Sequence, residues 1–203
     1  MAGGGARRGT FAHPAQQVVL QEQLDAIDEA ERRRDRLEAQ IRELAPAWSL
    51  APVVSALQAM RGIAFLSAVV LVAEIGDFRR FATPRRLMAW LGLVPSERSS
   101  GPKVERGGIT KAGNGRARRV LVEGAWSCRF PARVTGPIQA RLEGVPDAVR
   151  ATAWKAQLRL CARFRRLVAA GKNANVVTTA VAREMAAFAW AIACQVQPEA
   201  AAA

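Results

Sequence analysis

Apolar residues recur at steps of three and four along most of this chain, and convincing period-two alternation is absent, so a mostly helical protein is predicted. The first such stretch, Gln16 to Leu44, carries Leu20, Leu24, Ile27, Ala30, Leu37, Ile41 and Leu44 on one stripe. The segment Glu31–Arg36, ERRRDR, interrupts that seam and leaves too few clean heptads for a continuous coiled coil. Residues 16–45 are therefore read as a long helical arm, which either dimerises or packs on its own domain. Residues 1–15 read as a disordered leader and residues 197–203 as a featureless tail.

Pro46 and Pro52 break the chain before a second unit, taken as a compact helical domain over 52–196. Val53–Met60 reads as a short helix, Arg61-Gly62 as a tight turn, and Ile63–Ile75 as a buried helix ending at Gly76. Helix, glycine turn and apolar helix form the outline of a helix-hairpin-helix unit, in which backbone N–H groups at Gly62 could meet a phosphate. The same outline also fits a hairpin that merely packs. Thr83-Pro84 starts a helix that stops at Gly92, and Asn114 caps another with Ala117, Val120, Leu121 and Ala125 on its buried face. After an irregular stretch from Arg129 to Pro146, Asp147 is expected to cap a helix over Ala148–Ala170, and a last helix runs from about Ala174 to Val196. A short β segment near Leu93-Val94 or Ile109 is compatible with this reading.

Charge singles out one region. The chain has 203 residues, 30 Lys and Arg against 17 Asp and Glu, and a formal charge of +13, which favours a polyanionic partner, DNA before a membrane surface. Between Arg98 and Arg119 lie Arg98, Lys103, Arg106, Lys111, Arg116, Arg118 and Arg119, with Glu105 the one acid and glycines interspersed. These cations, with Asn114 and Gly62, are the candidate nucleic-acid contacts; the plainer reading is a solvated basic loop beside a core helix. The longest apolar run, Ile63–Ala73, is too short to span a bilayer, and Arg183 and Glu184 interrupt the Ala-rich C-terminal segment, so no membrane partner is expected.

Composition also removes chemistries. Cys128, Cys161 and Cys194 have no paired spacing and His13 is the single histidine, which argues against a zinc site or disulfide framework and fits a reducing, cytoplasmic setting. Serine or cysteine nucleophiles relayed through histidine find no partner within this chain, and with no tyrosine a tyrosine-based DNA cleavage is excluded here.

The segments GIAFLSAVVLVAEIGDFRRF, LMAWLGLVPSERSSG, GGITKAGNGRARRVLVEGAW, AQLRLCARFRRL and AVAREMAAFAWAI, in this order, resemble the C-terminal transposase domain of the "one-ten" family of insertion-sequence transposases, also called after the elements one-sixteen and nine-oh-two. The resemblance runs from about Val53 to Ala193. It implies DNA transposition and recombination, with the family's nucleophilic serine, in the Ser-Gly after GLxP, falling on Ser100 and with Ser99 as the neighbour to test beside it. It further implies a separate N-terminal RuvC-like domain whose acids hold Mg²⁺, so no metal ligand is assigned to this chain, and an element-encoded guide RNA as a partner; homo-oligomerisation is expected instead from the dimerising reading of the arm. Two departures stand out. The chain has no room for the acidic domain, and it reads Arg61-Gly62-Ile63-Ala64 where relatives commonly have Pro-Gly-Ile-Gly, which would weaken phosphate binding at that turn. The competing expectation is a non-catalytic nucleic-acid-binding module or a decayed transposase remnant.

Overall fold

The computed structural model describes residues 13–100 and 103–196, with the side chains of 98–100 and 103–106 left out of the description. Eight α-helices and one two-stranded antiparallel sheet are found among the described residues. The chain forms two compact units, one ending at Pro46 and one beginning at Ala47.

The first unit is the helix α1, Pro14–Leu44. It starts earlier than the sequence suggested, because the His13 imidazole accepts a hydrogen bond from the Ala15 N–H at 3.1 Å and Pro14 suits the first helical turn. Of the expected leader, Pro14 and Ala15 are thus helical; residues 1–12, like the tail from 197, lie outside the described residues. No residue of α1 is buried. Ile27 and Leu37 on its apolar stripe are 55% and 46% exposed. Local pairs such as Glu38 with Arg42 lace its polar face.

The second unit is built around α8, Ala174–Val196, which packs against α2 (Ala51–Leu57), α4 (Pro84–Trp90), α5 (Gly115–Ala125) and α7 (Asp147–Ala169). Val177, Val181, Met185, Ala189 and Ile192 are all buried, a stripe at helical spacing. By length and apolar content α8 could cross a membrane, yet half of its most apolar window is buried inside this unit, as in a core helix. Trp190 fixes the helix to the chain before α4, its Nε1–H shared between the carbonyls of Phe78 and Phe81 at 3.1 and 3.0 Å. The apolar α3, Phe65–Ile75, packs on α2 and α5.

Three expectations are corrected. The stretch from Arg129 to Pro146 is not wholly irregular: it contains α6, Gly136–Arg141, with Pro137 in its first turn. Nor is the central basic stretch a loop. Pro95–Ser100 and Lys103–Ile109 pair as an antiparallel hairpin, β1 and β2, whose second strand ends at Ile109. Period-two alternation is hidden there by Ser, Gly and charged residues, which carry little apolar signal even when the backbone pairs. Asp147 is the first residue of α7 rather than its cap, which falls on Pro146.

Candidate nucleic-acid interface

The hairpin is an excursion between the end of α4 and the start of α5, and its two legs are joined at the base. Thr110 N–H donates to Val94 O at 2.9 Å, Lys111 N–H to Gly92 O at 3.2 Å, and Asn114 N–H to Trp90 O at 3.3 Å. The close approach explains two glycines: a methyl group on Gly92 would overlap the Ala112 carbonyl, and one on Gly113 the Trp90 carbonyl, and both residues have positive φ. A bulge between Pro95 and Glu97 turns the strands above this base, where Ser96 Oγ donates to Gly108 O at 3.0 Å.

At the far end, Ser100 pairs with Lys103 across the backbone, Arg98 with Glu105 and Glu97 with Arg106. The expected contacts Arg98, Ser100, Lys103 and Arg106 thus share one hairpin, although the positions of their side chains lie outside the described residues. Lys111 follows the second strand with a left-handed φ of 54°.

Asn114 caps α5 as expected, its Oδ1 accepting from Ala117 N–H at 2.8 Å. Its Nδ2 donates at 2.7 Å to Glu74 on α3, and Arg116 reaches the same carboxylate at 3.4 Å. Glu74, which sequence reasoning passed over, therefore sets its own carboxylate beside the helix N-terminus, where the dipole favours a negative group. Its signal was a lone acid near the end of an otherwise apolar helix. Arg118 is half-buried and donates to Leu91 O at 2.9 Å, so part of its donor capacity ties α5 to the end of α4. Arg119 pairs with Glu123 at 2.7 Å on an open surface, and both it and Arg116 keep at least 80% of their side-chain surface exposed.

Gly62 is not part of this cluster. It lies against Gly124, nine residues along α5 from Gly115, or about 14 Å down the axis. With φ at 85° and the Gly124 carbonyl carbon 2.8 Å from where a methyl group would sit, Gly62 has a packing role.

Sequence reading also missed a groove at the base of the hairpin. It has a volume of about 950 Å³ and runs between β1, β2, α4, α7 and α8. Arg85, Lys111, Lys155, Arg159, Arg163 and Arg183 line it. Glu184, the one acid among the lining residues, accepts from Arg159 at 2.8 Å and pairs with Arg163 at 3.1 Å. Among the described residues no three His, Cys, Asp or Glu side chains converge as a metal site would require, and Glu74 and Glu184 are both engaged by cations. The described residues thus offer no oxygen-donor set of the kind Mg²⁺ takes.

Comparison with known proteins gives a consistent set of matches. Residues 54–137 match the family described as transposase IS116/IS110/IS902. A putative transposase, y4qE, of Sinorhizobium fredii is 51% identical over 183 residues, which is 90% of this chain and 44% of that protein. A probable family 20 transposase of Pseudomonas aeruginosa is 32% identical over 174 residues, 86% of this chain and 44% of that protein. The 43.6 kDa protein of insertion element IS110 from Streptomyces coelicolor is 31% identical over 111 residues, 55% of this chain and 27% of that protein. The chain spans less than half the length of these relatives.

Proposed function

Because the chain belongs to the IS116/IS110/IS902 family of insertion-sequence transposases, we propose that it is the DNA-binding, strand-joining portion of such an enzyme, with Ser100 as the nucleophile. The observation that carries this reading is the hairpin: a serine at the end of β1, on paired strands that carry Arg98, Lys103 and Arg106, anchored at the base by backbone bonds to Gly92 and Val94. A reacting group needs a rigid mount to reach a phosphate in a defined geometry.

In the step envisaged, the Ser100 hydroxyl oxygen forms a bond to a DNA phosphorus, a sugar hydroxyl leaves, and the serine proton passes to a base. A serine hydroxyl needs a base or a metal to activate it, and the resemblance assigns that role to acids outside this chain. Acids of a RuvC-like domain outside this chain would hold Mg²⁺, whose charge would supply Lewis-acid stabilisation at the attacked phosphate. Arg98, Lys103, Arg106 and Lys111 would neutralise phosphate oxygens near the serine, while Arg116, Arg118 and Arg119 bind the flanking backbone of DNA or of a guide RNA. Arg118 contributes only the donors left over from its bond to Leu91. The exposed apolar stripe of α1 supports self-association through that helix.

Two measurements test the proposal. With the acid-bearing domain supplied, Ser100→Ala should abolish strand joining while DNA affinity stays within about twofold, because the lost hydroxyl is not a charge contact. Undiminished joining by the variant would sink the nucleophile assignment and favour a non-catalytic binding module. For binding, the double variant Arg116→Ala/Arg119→Ala should flatten the slope of log affinity against log salt by about two units. A salt-independent affinity in the parent protein would contradict DNA binding altogether.

A further inference from the structure

The groove beside the hairpin combines two features, of which the first is one a duplex-binding surface has no use for. Its interior is apolar, with Met88, Leu93, Val176 and Phe188 among the lining residues, and Val176 leaves 60% of its surface uncovered. Around that interior stand cations drawn from three helices: Arg85 of α4, Lys155, Arg159 and Arg163 of α7, and Arg183 of α8. Lys155, Arg159 and Arg163 follow one another at four-residue steps and so share one face of α7. The Glu184 carboxylate is neutralised by two of them, and Arg85, Lys155 and Arg183 make no ion pair among the described residues.

A double helix shows a protein its phosphates and keeps the faces of its bases stacked inside. An unpaired strand offers both at once, phosphates for cations and base faces for apolar and aromatic side chains. We propose that this groove seats an unpaired nucleic-acid strand, with its backbone on Arg85, Lys155, Arg159 and Arg183 and its bases against Phe188 and the neighbouring apolar side chains. The volume, about 950 Å³, lies at the upper end of the roughly 300–1,000 Å³ typical of small-ligand sites, which suits a few nucleotides rather than a duplex. Gly107, Gly108 and Ile109 of β2 form one wall, so a strand leaving the groove passes directly onto the hairpin. This inference rests on the nucleic-acid reading above and adds to it a site and a strandedness.

The test uses the full chain and a short fluorescent oligonucleotide, single-stranded or annealed to its complement, with affinity read by anisotropy over a salt series. Lys155→Ala/Arg183→Ala should weaken single-strand binding about tenfold and lower its salt slope by about 1.4, two contacts at about 0.7 each, while duplex affinity changes less than about twofold. Phe188→Leu, which nearly conserves volume, should weaken the single strand several-fold without a salt-slope change, since stacking is lost and charge is not. Polyglutamate of matched charge should fail to displace the strand.

Equal losses for single strand and duplex, or none for either, would overturn the groove assignment, as would efficient displacement by polyglutamate, which would mark a site for acidic peptide. Those outcomes leave the hairpin proposal standing. If the parent chain binds neither form, the nucleic-acid reading itself falls.

Discussion

The contact between Gly62 and Gly124 allows the packing argument to be tested with a sign as well as a size. A methyl group on Gly62 faces two separate penalties. The residue's φ of 85° costs an L-residue about 1–2 kcal/mol. The methyl also meets the Gly124 carbonyl carbon and Ser127 Oγ, each at 2.8 Å, and relieving such an overlap against a helix backbone costs about 1–3 kcal/mol. Gly62→Ala should therefore destabilise the protein by about 3 kcal/mol, a fall in Tm of roughly 6–12 °C at this chain length. Gly171, just past the end of α7, is the control: its φ is 72° and nothing lies within 4 Å of an added methyl, so Gly171→Ala should lose only about 1–2 kcal/mol. Gly124 is the sharper case. Inside a helix, Gly→Ala ordinarily gains about 0.5–1 kcal/mol. Here the methyl would sit 2.5 Å from Gly62 O, so Gly124→Ala should destabilise instead. Thermal unfolding followed by circular dichroism reads all three. A rise in Tm for Gly124→Ala, or equal losses for Gly62→Ala and Gly171→Ala, would refute the packing account. If Gly62→Ala left Tm unchanged and flattened the salt dependence of DNA binding, the phosphate reading of that turn would replace it.

Asn114→Ala removes both the cap on Ala117 and the donor to Glu74, and should cost about 1–2 kcal/mol in urea unfolding. Asn114→Asp keeps the cap but sets a second carboxylate against Glu74, so it should be less stable than the parent, and the loss should vanish in a Glu74→Gln background; a loss of the same size there would mean the two residues do not interact. Cys128 and Cys161 are fully buried, and Cys128 is pushed above the ordinary thiol range by its hydrogen bond to Cys161 and by burial, so a maleimide should label the partly exposed Cys194 first and the other two only on unfolding. Labelling of all three at one rate would contradict that burial. Ile27→Glu with Leu37→Glu alters only exposed positions of α1, so sedimentation should show weaker self-association with unchanged helicity; an unaltered mass distribution would remove the arm as the oligomerising element.

The helices were legible because their signals are local. Asn114 followed by a three-four stripe, Thr83 before Pro84, and Gly76 and Gly92 at helix ends each encode a boundary within a few residues. The long stripe of α8 was equally plain. The hairpin was not, because its strands pair through backbone groups, and PSERSS and KVERGGI offer no apolar face to alternate. The short α6 escaped for a related reason. With Thr135, Gly136 and Pro137 at its start and one buried residue, Ile138, its sequence reads as turn, and the tertiary bond from Arg141 Nη1 to Ile63 O at 2.7 Å helps to hold it.

The same distinction governs the candidate site. Counting charges along the chain found the segment from Arg98 to Arg119, since those cations are neighbours in sequence. It could not tell that Arg118 is partly occupied by Leu91 O, that Arg116 shares Glu74 with Asn114, or that Gly62 serves the far end of α5. Nor could it assemble the groove, where Arg85, Lys155 and Arg183 come from helices widely separated in sequence and meet because α4 and α7 both pack on α8. Each of those residues reads singly as an ordinary solvated charge on an amphipathic helix. What gives them a joint chemistry is a core stripe on the other side of the same helices: Val177, Val181 and Met185 bury α8 and thereby fix where Arg183 and Glu184 stand. A charged surface built this way depends on the core for its geometry, so core substitutions that shift α8 should disturb the groove even when every cation is retained.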